Sequence, residues 1–213
     1  MLIVVPGTPH GMGTMTQGVP LFTMGDIEAI RRQARDVGGV TAAGQKMARI
    51  VAGSSNRSVG VGGVMPEYFS IRGWGASEGR IISYEDERTA AQVCLIGQTV
   101  SDALFLGQTA VGKEMRVRDI SCRVIGVLEA KGASAFGMDQ DDVVFMPFST
   151  FSRRIMGSDR AGVLMVSALS EDRIDQAKEQ LTDICVVAAT SSPAETTTLP
   201  SAIRARSRRC FRA

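Results

Sequence analysis

The chain has 213 residues, of which 44% are hydrophobic and 22% are charged, a composition typical of a folded globular protein. Its formal net charge is +2, yet residues 185–213 hold five of the 24 basic residues and one of the 22 acidic residues. The rest of the chain is therefore close to neutral, which excludes the basic surface of a nucleic-acid-binding domain. No run reaches the about 20 apolar residues of a transmembrane helix, and Met1–Val5 is too short for a signal peptide.

The first elements predicted along the chain are a strand, a loop and a surface helix. Leu2–Val5 is a β-branched run that ends at a Pro-Gly pair, and Thr8–Gln17 has the glycine and threonine content of a loop. Asp26 is predicted to cap a helix that ends at Gly38-Gly39. The apolar positions of that helix recur at helical spacing, at Ile27, Ile30 and Ala34.

A hairpin and two short helices are predicted next. Val40–Ala52 is extended, Ser54–Arg57 including Asn56 is predicted to turn, and Val59 and Val61 lie on the return strand. Two further segments have the pattern of short helices, one beginning at a proline and one at a capping serine: Pro66–Ile71 and Ser83–Glu87.

The middle of the chain predicts alternating strands and helices. Val93–Ile96 is a short apolar run typical of a strand buried on both faces, and Thr99–Leu106 has helical spacing before Gly107. Glu114–Leu128 contains two alternating strands joined at Arg118-Asp119. The remaining predictions are a flexible loop, a strand, a helix, a strand and a helix capped near Ser170, over Lys131–Gln140, Val143–Met146, Phe148–Met156, Val163–Ala168 and Ile174–Leu181.

This order of elements predicts an α+β fold with a mixed sheet in which antiparallel hairpins are prominent. The block from about residue 70 to residue 131 has strands and helices of its own. It is predicted to form a small lobe that is inserted into a first lobe made by the rest of the chain.

The cysteines and the single histidine are spread along the chain. Cys94, Cys122, Cys185 and Cys210 include no Cys-x-x-Cys pair, and His10 cannot complete a zinc site with them. Cys94 and Cys122 lie in apolar, strand-like runs. This setting favours buried free thiols, which behave as small hydrophobic groups.

Candidate catalytic and binding motifs are weak. The glycines at 11–13 and 60–63 lack the strand–loop–helix setting of a phosphate loop and are expected to be loop and strand glycines. Ser134 is not in a Gly-x-Ser-x-Gly motif, which disfavours serine hydrolysis. Asp139, Asp141 and Asp142 lack the pattern of a calcium loop and are expected to form a solvated acidic turn.

Other polar and aromatic groups have structural explanations. Glu85–Glu87 fit the acidic first turn of a helix, whereas the phenylalanines at 136, 145, 148 and 151 fit core or inter-lobe packing. Arg31, Arg32 and Arg35 are expected to be solvated, with binding of an anionic partner as the less favoured alternative. No catalytic, cofactor-binding or metal-binding residue is therefore assigned.

Short motifs follow one another in a fixed order between Leu2 and about Ile184. They include Gly63–Phe69, Glu78–Arg80, Val93–Gly97, Leu104-Phe105, Val111-Gly112, Val124–Val127, Asp142–Pro147 and Arg153–Gly157. In this order and spacing they resemble the periplasmic core domain of MacB-type ABC transporter permeases, the MacB/LolC/FtsX-type family. The resemblance covers residues 1–184.

That resemblance implies a porter-like lobe with a small inserted α/β lobe, on the outer side of the plasma membrane between a first transmembrane helix and three more. It implies ATP hydrolysis in a separate domain or subunit, a homodimeric or heterodimeric transporter, and in some members a periplasmic adaptor protein. Some members export drugs or peptides, and relatives extract lipoproteins. The family supplies no catalytic residue, cofactor or metal site for this domain.

Residues 185–213 depart from the resemblance. The family continues with a basic helix end, a strand and a transmembrane helix, whereas this chain has a tail rich in Ser, Thr, Pro and Arg. The tail is expected to be either a disordered natural extension or a frameshift product, since one base restored before the codon of Cys185 permits a basic helix end. Without the last strand, a partly exposed sheet edge and a mobile tail are predicted.

Two functions remain open from the sequence. The leading hypothesis is a non-enzymatic extracytoplasmic domain of an ABC transporter permease that couples ATP-driven motion to export or extraction of a substrate. The alternative is a free-standing periplasmic binding or adaptor module. An enzyme is disfavoured, because no acid, base, nucleophile or metal set converges in the sequence.

Overall fold

A computed structural model describes residues 2–4, 22–134, 137, 139–158, 160–190 and 203–205. The strands are β1 Leu2–Val4, β2 Val37–Ala52, β3 Ser55–Val64, β4 Ala76–Gly79, β5 Val93–Ile96, β6 Glu114–Val117, β7 Ile120–Leu128, β8 Val143–Pro147, β9 Val163–Ala168 and β10 Ile203–Ala205. The α-helices are α1 Met24–Gln33, α2 Glu67–Arg72, α3 Tyr84–Arg88, α4 Gln98–Phe105, α5 Phe148–Phe151 and α6 Ile174–Thr190. A π-helix, Ser152–Met156, continues α5, and a 3-10 helix, Glu171–Arg173, precedes α6. This mixture of helices with parallel and antiparallel strands confirms the predicted α+β class.

The chain divides into two compact units. The first comprises residues 1–42 and 160–213, and the second, residues 43–159, interrupts it. Strand β2 contributes residues to both units. The lobe predicted at about residues 70–131 lies inside the second unit, which extends beyond it at both ends. The predicted lobe boundaries stay predictions.

The first unit combines strands in the order β10–β1–β9–β2 with two helices that contact each other, α1 and α6. Strand β1 is antiparallel to β9, with Leu2 opposite Val166. Asp36 is buried and accepts hydrogen bonds from Arg173 at 2.5 Å and from Gln180 at 2.7 Å. The hydrogen bond from Arg173 lowers the pKa of Asp36, so this carboxylate stays charged. It ties the segment between α1 and β2 to α6 through Gln180 and to Arg173, the residue just before α6.

The structure corrects both ends of the first predicted helix. Thr23, not Asp26, is the N-cap: its hydroxyl accepts from the Asp26 backbone, and the Asp26 side chain accepts from the Thr23 backbone at 2.7 Å. This reciprocal capping box starts the helix two residues before the predicted cap. The helix also ends earlier, at Gln33, because the backbone becomes extended at Ala34 and Gly38 lies within β2.

The second unit is a mixed sheet with strand order β2–β3–β8–β5–β7–β4, and β6 pairs with both β2 and β7. Strands β3 and β8 are parallel, as are β5 and β7, whereas β2–β3 and β6–β7 are antiparallel hairpins. Residues Cys94, Leu95 and Ile96 of β5 are fully buried. The prediction of a strand covered on both faces is confirmed.

The turn between β2 and β3 is tighter than predicted. Gly53 has φ +56 and Ala52 pairs with Ser55, so Asn56 and Arg57 belong to strand β3 and not to the turn. A two-residue hairpin loop needs a positive φ, which glycine adopts without a steric penalty. Strand β4, which pairs with β7, was not predicted, because its short and exposed sequence lacks an apolar alternation.

Close backbone approach defines the centre of the second unit. A Cβ on Gly62 would lie 2.7 Å from the ring of Phe145, and a Cβ on Gly63 would overlap the ring of Phe151. The Phe145 ring also contacts those of Tyr68, at 5.1 Å between centroids, and Trp74, at 5.8 Å. Strand β3 therefore needs glycine at two successive positions, so that an aromatic ring can pack against each face.

Helix α3 is the predicted short capped helix, and its cap carries an ion pair. Ser83 is the N-cap, and the carboxylate of Asp86 accepts from the Ser83 backbone at 2.8 Å and from its hydroxyl at 2.7 Å. Arg80 donates two further hydrogen bonds to Asp86, at 2.5 and 3.0 Å. The hydrogen bond from Arg80 lowers the pKa of Asp86 to about 2, which keeps this buried group ionised.

The described part of the chain's end contains a helix and a short strand, and the predicted disordered or frameshifted tail stays a prediction. Helix α6 runs to Thr190, past the expected boundary at residue 184, and β10 pairs with β1 antiparallel, with Leu2 opposite Ala205. Strand β1 therefore pairs with β9 on one side and with β10 on the other, and the predicted exposed sheet edge stays a prediction. The predicted Thr8–Gln17 loop lies outside the described residues. No helix in the described part of the chain has both the length and the apolar character to cross a membrane.

We predict that Gly63→Ala lowers the free energy of unfolding by about 1–3 kcal/mol, because the added methyl group must displace the Phe151 ring from a packed core. Gly162→Ala is the matched control, since a Cβ there meets no atom within 4 Å. Urea denaturation of the two variants measures the difference. Equal stability of both variants would contradict the close packing described for β3.

We predict that Asp86→Asn destabilises the protein by about 1–3 kcal/mol at neutral pH, because it removes the charge that Arg80 and the α3 cap share. The pKa of Asp86 falls on folding from 3.8 to about 2, so its contribution is present above pH 3.8 and is lost as the pH drops towards 2. Denaturation at a series of pH values checks both statements. A difference between wild type and variant that does not shrink over this interval would contradict them.

Candidate functional site

Two hairpins of the second unit meet at an exposed group of arginines. Strand β2 pairs with β6 through Val51 and Arg116, which brings the two hairpins side by side. Between them lies an open groove with a volume of about 420 Å³. We call it the arginine groove; its lining residues are Arg49, Val51, Asn56, Arg116, Arg118 and Asp119.

Backbone and side-chain contacts hold the groove in shape. The backbone of Arg118 donates to the carbonyl of Arg49 at 2.9 Å, and the Arg49 guanidinium donates to the side-chain oxygen of Asn56 at 3.0 Å. Arg118 has φ +52, in the left-handed region that costs a non-glycine residue about 1 kcal/mol or more. The hairpin turn thus holds an arginine where glycine would be less strained.

The chemistry of the groove suits recognition. It places three arginines near one aspartate, all of them exposed. A guanidinium is always charged and donates paired hydrogen bonds to carboxylates and phosphates. The arrangement can therefore bind an anionic group of a partner without making or breaking a covalent bond.

The three aspartates before β8 serve separate structural roles. Asp139 accepts from Thr99 at 2.7 Å, Asp141 accepts from the backbones of Lys131 and Gly132, and Asp142 pairs with Arg57 at 3.0 Å. The predicted solvated turn is wrong for Asp141, which is buried. Its carboxylate satisfies the loop backbone and thereby orders the described part of a segment predicted to be flexible.

The three aspartates do not form a metal-binding cluster in the described structure. Among the residues that the structure describes, no group of three His, Cys, Asp or Glu side chains is close enough to hold a metal ion. Asp139, Asp141 and Asp142 each use their oxygens on a different partner within the fold. Asp139 and Asp142 accept from the side chains of Thr99 and Arg57, and Asp141 accepts from loop backbone.

The acidic run at the start of α3 lies where it was predicted, in the first helical turn. Glu85 pairs with Arg88 at the surface, whereas Glu87 accepts from the Ser149 backbone at 2.9 Å. Burial raises the pKa of Glu87. Because Glu87 fixes the start of α5, this shifted carboxyl has a structural explanation.

No other candidate residue in the described part of the chain lines the arginine groove. The glycines at 60–63 lie on β3, as predicted, and Ser134 follows the isolated bridge at Ala133. Arg31, Arg32 and Arg35 are exposed in the first unit, where Arg32 pairs with Glu28 along α1. His10 and the glycines at 11–13 lie outside the described residues, as does Phe136.

The arginine groove could not be predicted from the sequence, for a physical reason. Its residues come from positions 49–56 and 116–119, and only the register between β2 and β6 brings them together. The alternation of Glu114, Met115, Arg116 and Val117 indicates which side chains of β6 face solvent, and it would have marked Arg116 as exposed. It carries no information about the neighbouring strand.

Comparisons with known proteins identify the family. The MacB-like periplasmic core domain family matches residues 1–184. The macrolide export ATP-binding/permease protein MacB of Syntrophobacter fumaroxidans is 36% identical over 165 residues, covering 76% of this chain and 23% of that protein. The protein of the same name from Marinobacter nauticus is 34% identical over 192 residues, covering 86% of this chain and 28% of its own length. The chain thus spans about a quarter of these relatives.

Solved structures with low sequence identity to this chain have the same fold. The periplasmic region of MacB from Actinobacillus actinomycetemcomitans superposes with a TM-score of 0.78 at 20% identity, covering 95% of this chain and 87% of that one. The extracellular domain of the ABC-type transporter YknZ from Gram-positive bacteria gives a TM-score of 0.74 at 17% identity, covering 90% and 96%. The fold and the family match agree, and the chain belongs to the family of MacB-like periplasmic core domains.

Proposed function

We propose that this chain is the non-catalytic extracytoplasmic part of an ABC transporter permease, which couples ATP-driven motion to the export or extraction of a substrate. The observation that carries the proposal is the match of residues 1–184 to the MacB-like periplasmic core domain. ATP would be hydrolysed by a segment or subunit outside this chain, and the domain would act within a homodimeric or heterodimeric transporter of the plasma membrane.

The polar groups of the fold support a role without chemistry. The shifted or buried carboxyl groups Asp36, Asp86, Glu87 and Asp141 each hold a helix end or a loop through short hydrogen bonds. A catalytic acid or base must instead present its oxygen to a substrate. These carboxyl groups therefore make the domain rigid. A domain that transmits displacement needs to be rigid.

Transmission of motion has a defined covalent route. The backbone passes between the two units within strand β2, between residues 42 and 43, and again between residues 159 and 160. In the second unit, β2 is paired with both β3 and β6. We propose that displacement of the first unit reaches the second along these two connections.

The arginine groove is the proposed contact for an adaptor protein. Three exposed guanidinium groups attract carboxylates, and electrostatic complementarity governs the rate and the orientation of association. We propose that the groove binds an acidic surface of an extracytoplasmic adaptor. The anionic groups would then be Asp and Glu side chains, which accept the paired hydrogen bonds of arginine.

A chimeric transporter tests this function. Residues 1–184 replace the matching domain of MacB from Syntrophobacter fumaroxidans, and ATP hydrolysis and macrolide export are measured in vesicles with the adaptor present. We expect export to be retained. A folded chimera that hydrolyses ATP without exporting substrate would contradict the proposal, and tight binding of a small molecule by the isolated domain would favour a free-standing binding module.

The same chimera tests the groove. We predict that Arg116→Glu with Arg118→Glu lowers export about tenfold, a loss of about 1.4 kcal/mol of docking free energy, while ATP hydrolysis is retained. Arg32→Glu with Arg35→Glu is the matched control, because it reverses two exposed arginines outside the groove. Equal export by both double variants would contradict docking at the groove.

A further inference from the structure

We propose that Cys94 and Cys122 form a disulfide bond when the domain folds in an oxidising compartment. Their Sγ atoms lie 3.0 Å apart on neighbouring strands. The proposal rests on the extracytoplasmic placement given under the proposed function, because disulfides form and persist on that side of the membrane and are rare in the cytosol.

The register of β5 and β7 brings the two cysteines together. These strands are parallel, and Cys94 lies opposite Val124. Cys122 precedes Val124 by two residues, so the side chains of both point to the same face of the sheet. All three residues belong to one apolar core cluster.

Only a small movement separates the thiols from a bond. A disulfide has an S–S length of about 2.05 Å, so the sulfur atoms need to approach by about 1 Å. Because Cys122 lies two residues before the register partner of Cys94, closing this gap requires a shift of the β5 or β7 backbone as well as rotation of the two side chains. A β-bulge between Cys94 and Leu95 adds local freedom in β5.

The surroundings of the pair favour oxidation during folding. Cys94 is 0% exposed and Cys122 is 2% exposed, so an oxidant cannot reach either sulfur in the folded domain. Burial, followed by the hydrogen bond with Cys122, raises the pKa of Cys94 and suppresses the reactive thiolate. The bond therefore forms before the core closes, and once formed it is shielded from reductants.

The reaction is ordinary thiol–disulfide exchange. One cysteine thiolate attacks a disulfide oxidant, such as an oxidoreductase of the compartment or oxidised glutathione, and releases one oxidant thiol. The second thiolate then displaces the other oxidant sulfur from the mixed disulfide. The two cysteines lose two protons and two electrons, and the oxidant is reduced to two thiols.

The bond would close a loop that contains α4 and β6. Such a loop restricts the unfolded chain and raises the temperature of unfolding. The link also fixes β5 against β7 next to the strand that carries Phe145, since β5 pairs with β8 through Leu95. A domain that transmits force would gain a covalent cross-link in its central sheet.

The decisive experiment uses the full chain with Cys185→Ser and Cys210→Ser, which leaves only the proposed pair. The protein is refolded with oxidised glutathione, alkylated under denaturing conditions and digested with trypsin without reductant. We expect Thr89–Lys113 joined to Asp119–Arg123 in the mass spectrum. Alkylation of both cysteines would overturn the proposal, and a further Cys94→Ser change must abolish the joined peptide.

Reductant provides a second measurement. We expect reduction of the unfolded protein before refolding to lower Tm by on the order of 10 °C, and addition of oxidant after folding to leave the thiols unchanged. We expect the double variant Cys94→Ala with Cys122→Ala to have the same Tm with and without reductant. A Tm that does not change between the oxidised and reduced forms contradicts a stabilising cross-link.

Expression with and without an export signal separates this proposal from the proposed function. The joined peptide is expected in the exported protein and absent from the protein kept in the cytosol. If the joined peptide forms with glutathione in vitro but is absent from the exported protein, the proposal that the bond forms in that compartment is wrong. Failure of the chimeric transporter with the joined peptide present would count against the transport function alone.

Discussion

The structure of the second unit depends on the packing of two phenylalanines against two glycines of strand β3. Strand β3 lies between β2 and β8, and Gly62 and Gly63 let Phe145 and Phe151 approach its backbone from opposite faces. Phe145 in turn anchors the aromatic rings of Tyr68 and Trp74. Interiors packed this closely resist deformation and pass strain to their neighbours. A central strand of this kind suits the proposed role, in which the domain transmits displacement.

The buried and half-buried polar groups also make the domain rigid. Asp86 closes the start of α3, Glu87 holds the start of α5, and Asp141 satisfies the backbone at Lys131 and Gly132. Buried carboxylates are costly unless they are hydrogen-bonded. Asp86 and Asp141 meet that condition, whereas Glu87 is half-buried and its Oε2 has no hydrogen-bond partner among the described residues. The arginine groove differs because its charges remain in solvent and available to a partner. The residues of the proposed contact are thereby different from those that stabilise the fold.

Local patterns predicted much of this fold because the responsible interactions are local. Ser83 and Asp86 lie three residues apart and form a capping box, and the apolar run from Val93 to Ile96 requires burial wherever it lies. The cap of α1 was misplaced, because Asp26 suits the third helical position as well as the cap. The arginine groove and the 3.0 Å approach of Cys94 to Cys122 depend on strand register, which no short window of sequence contains.

The central claim is that this domain belongs to a membrane transporter whose other parts lie outside residues 1–184. The measurement that tests it most directly is the DNA sequence on both sides of the coding stretch, read in every frame through the codon of Cys185. We predict an apolar helix encoded upstream in frame, further apolar helices downstream and an ATP-binding segment in the same gene or beside it. An intact gene without apolar helices and without a neighbouring ATP-binding protein would contradict it.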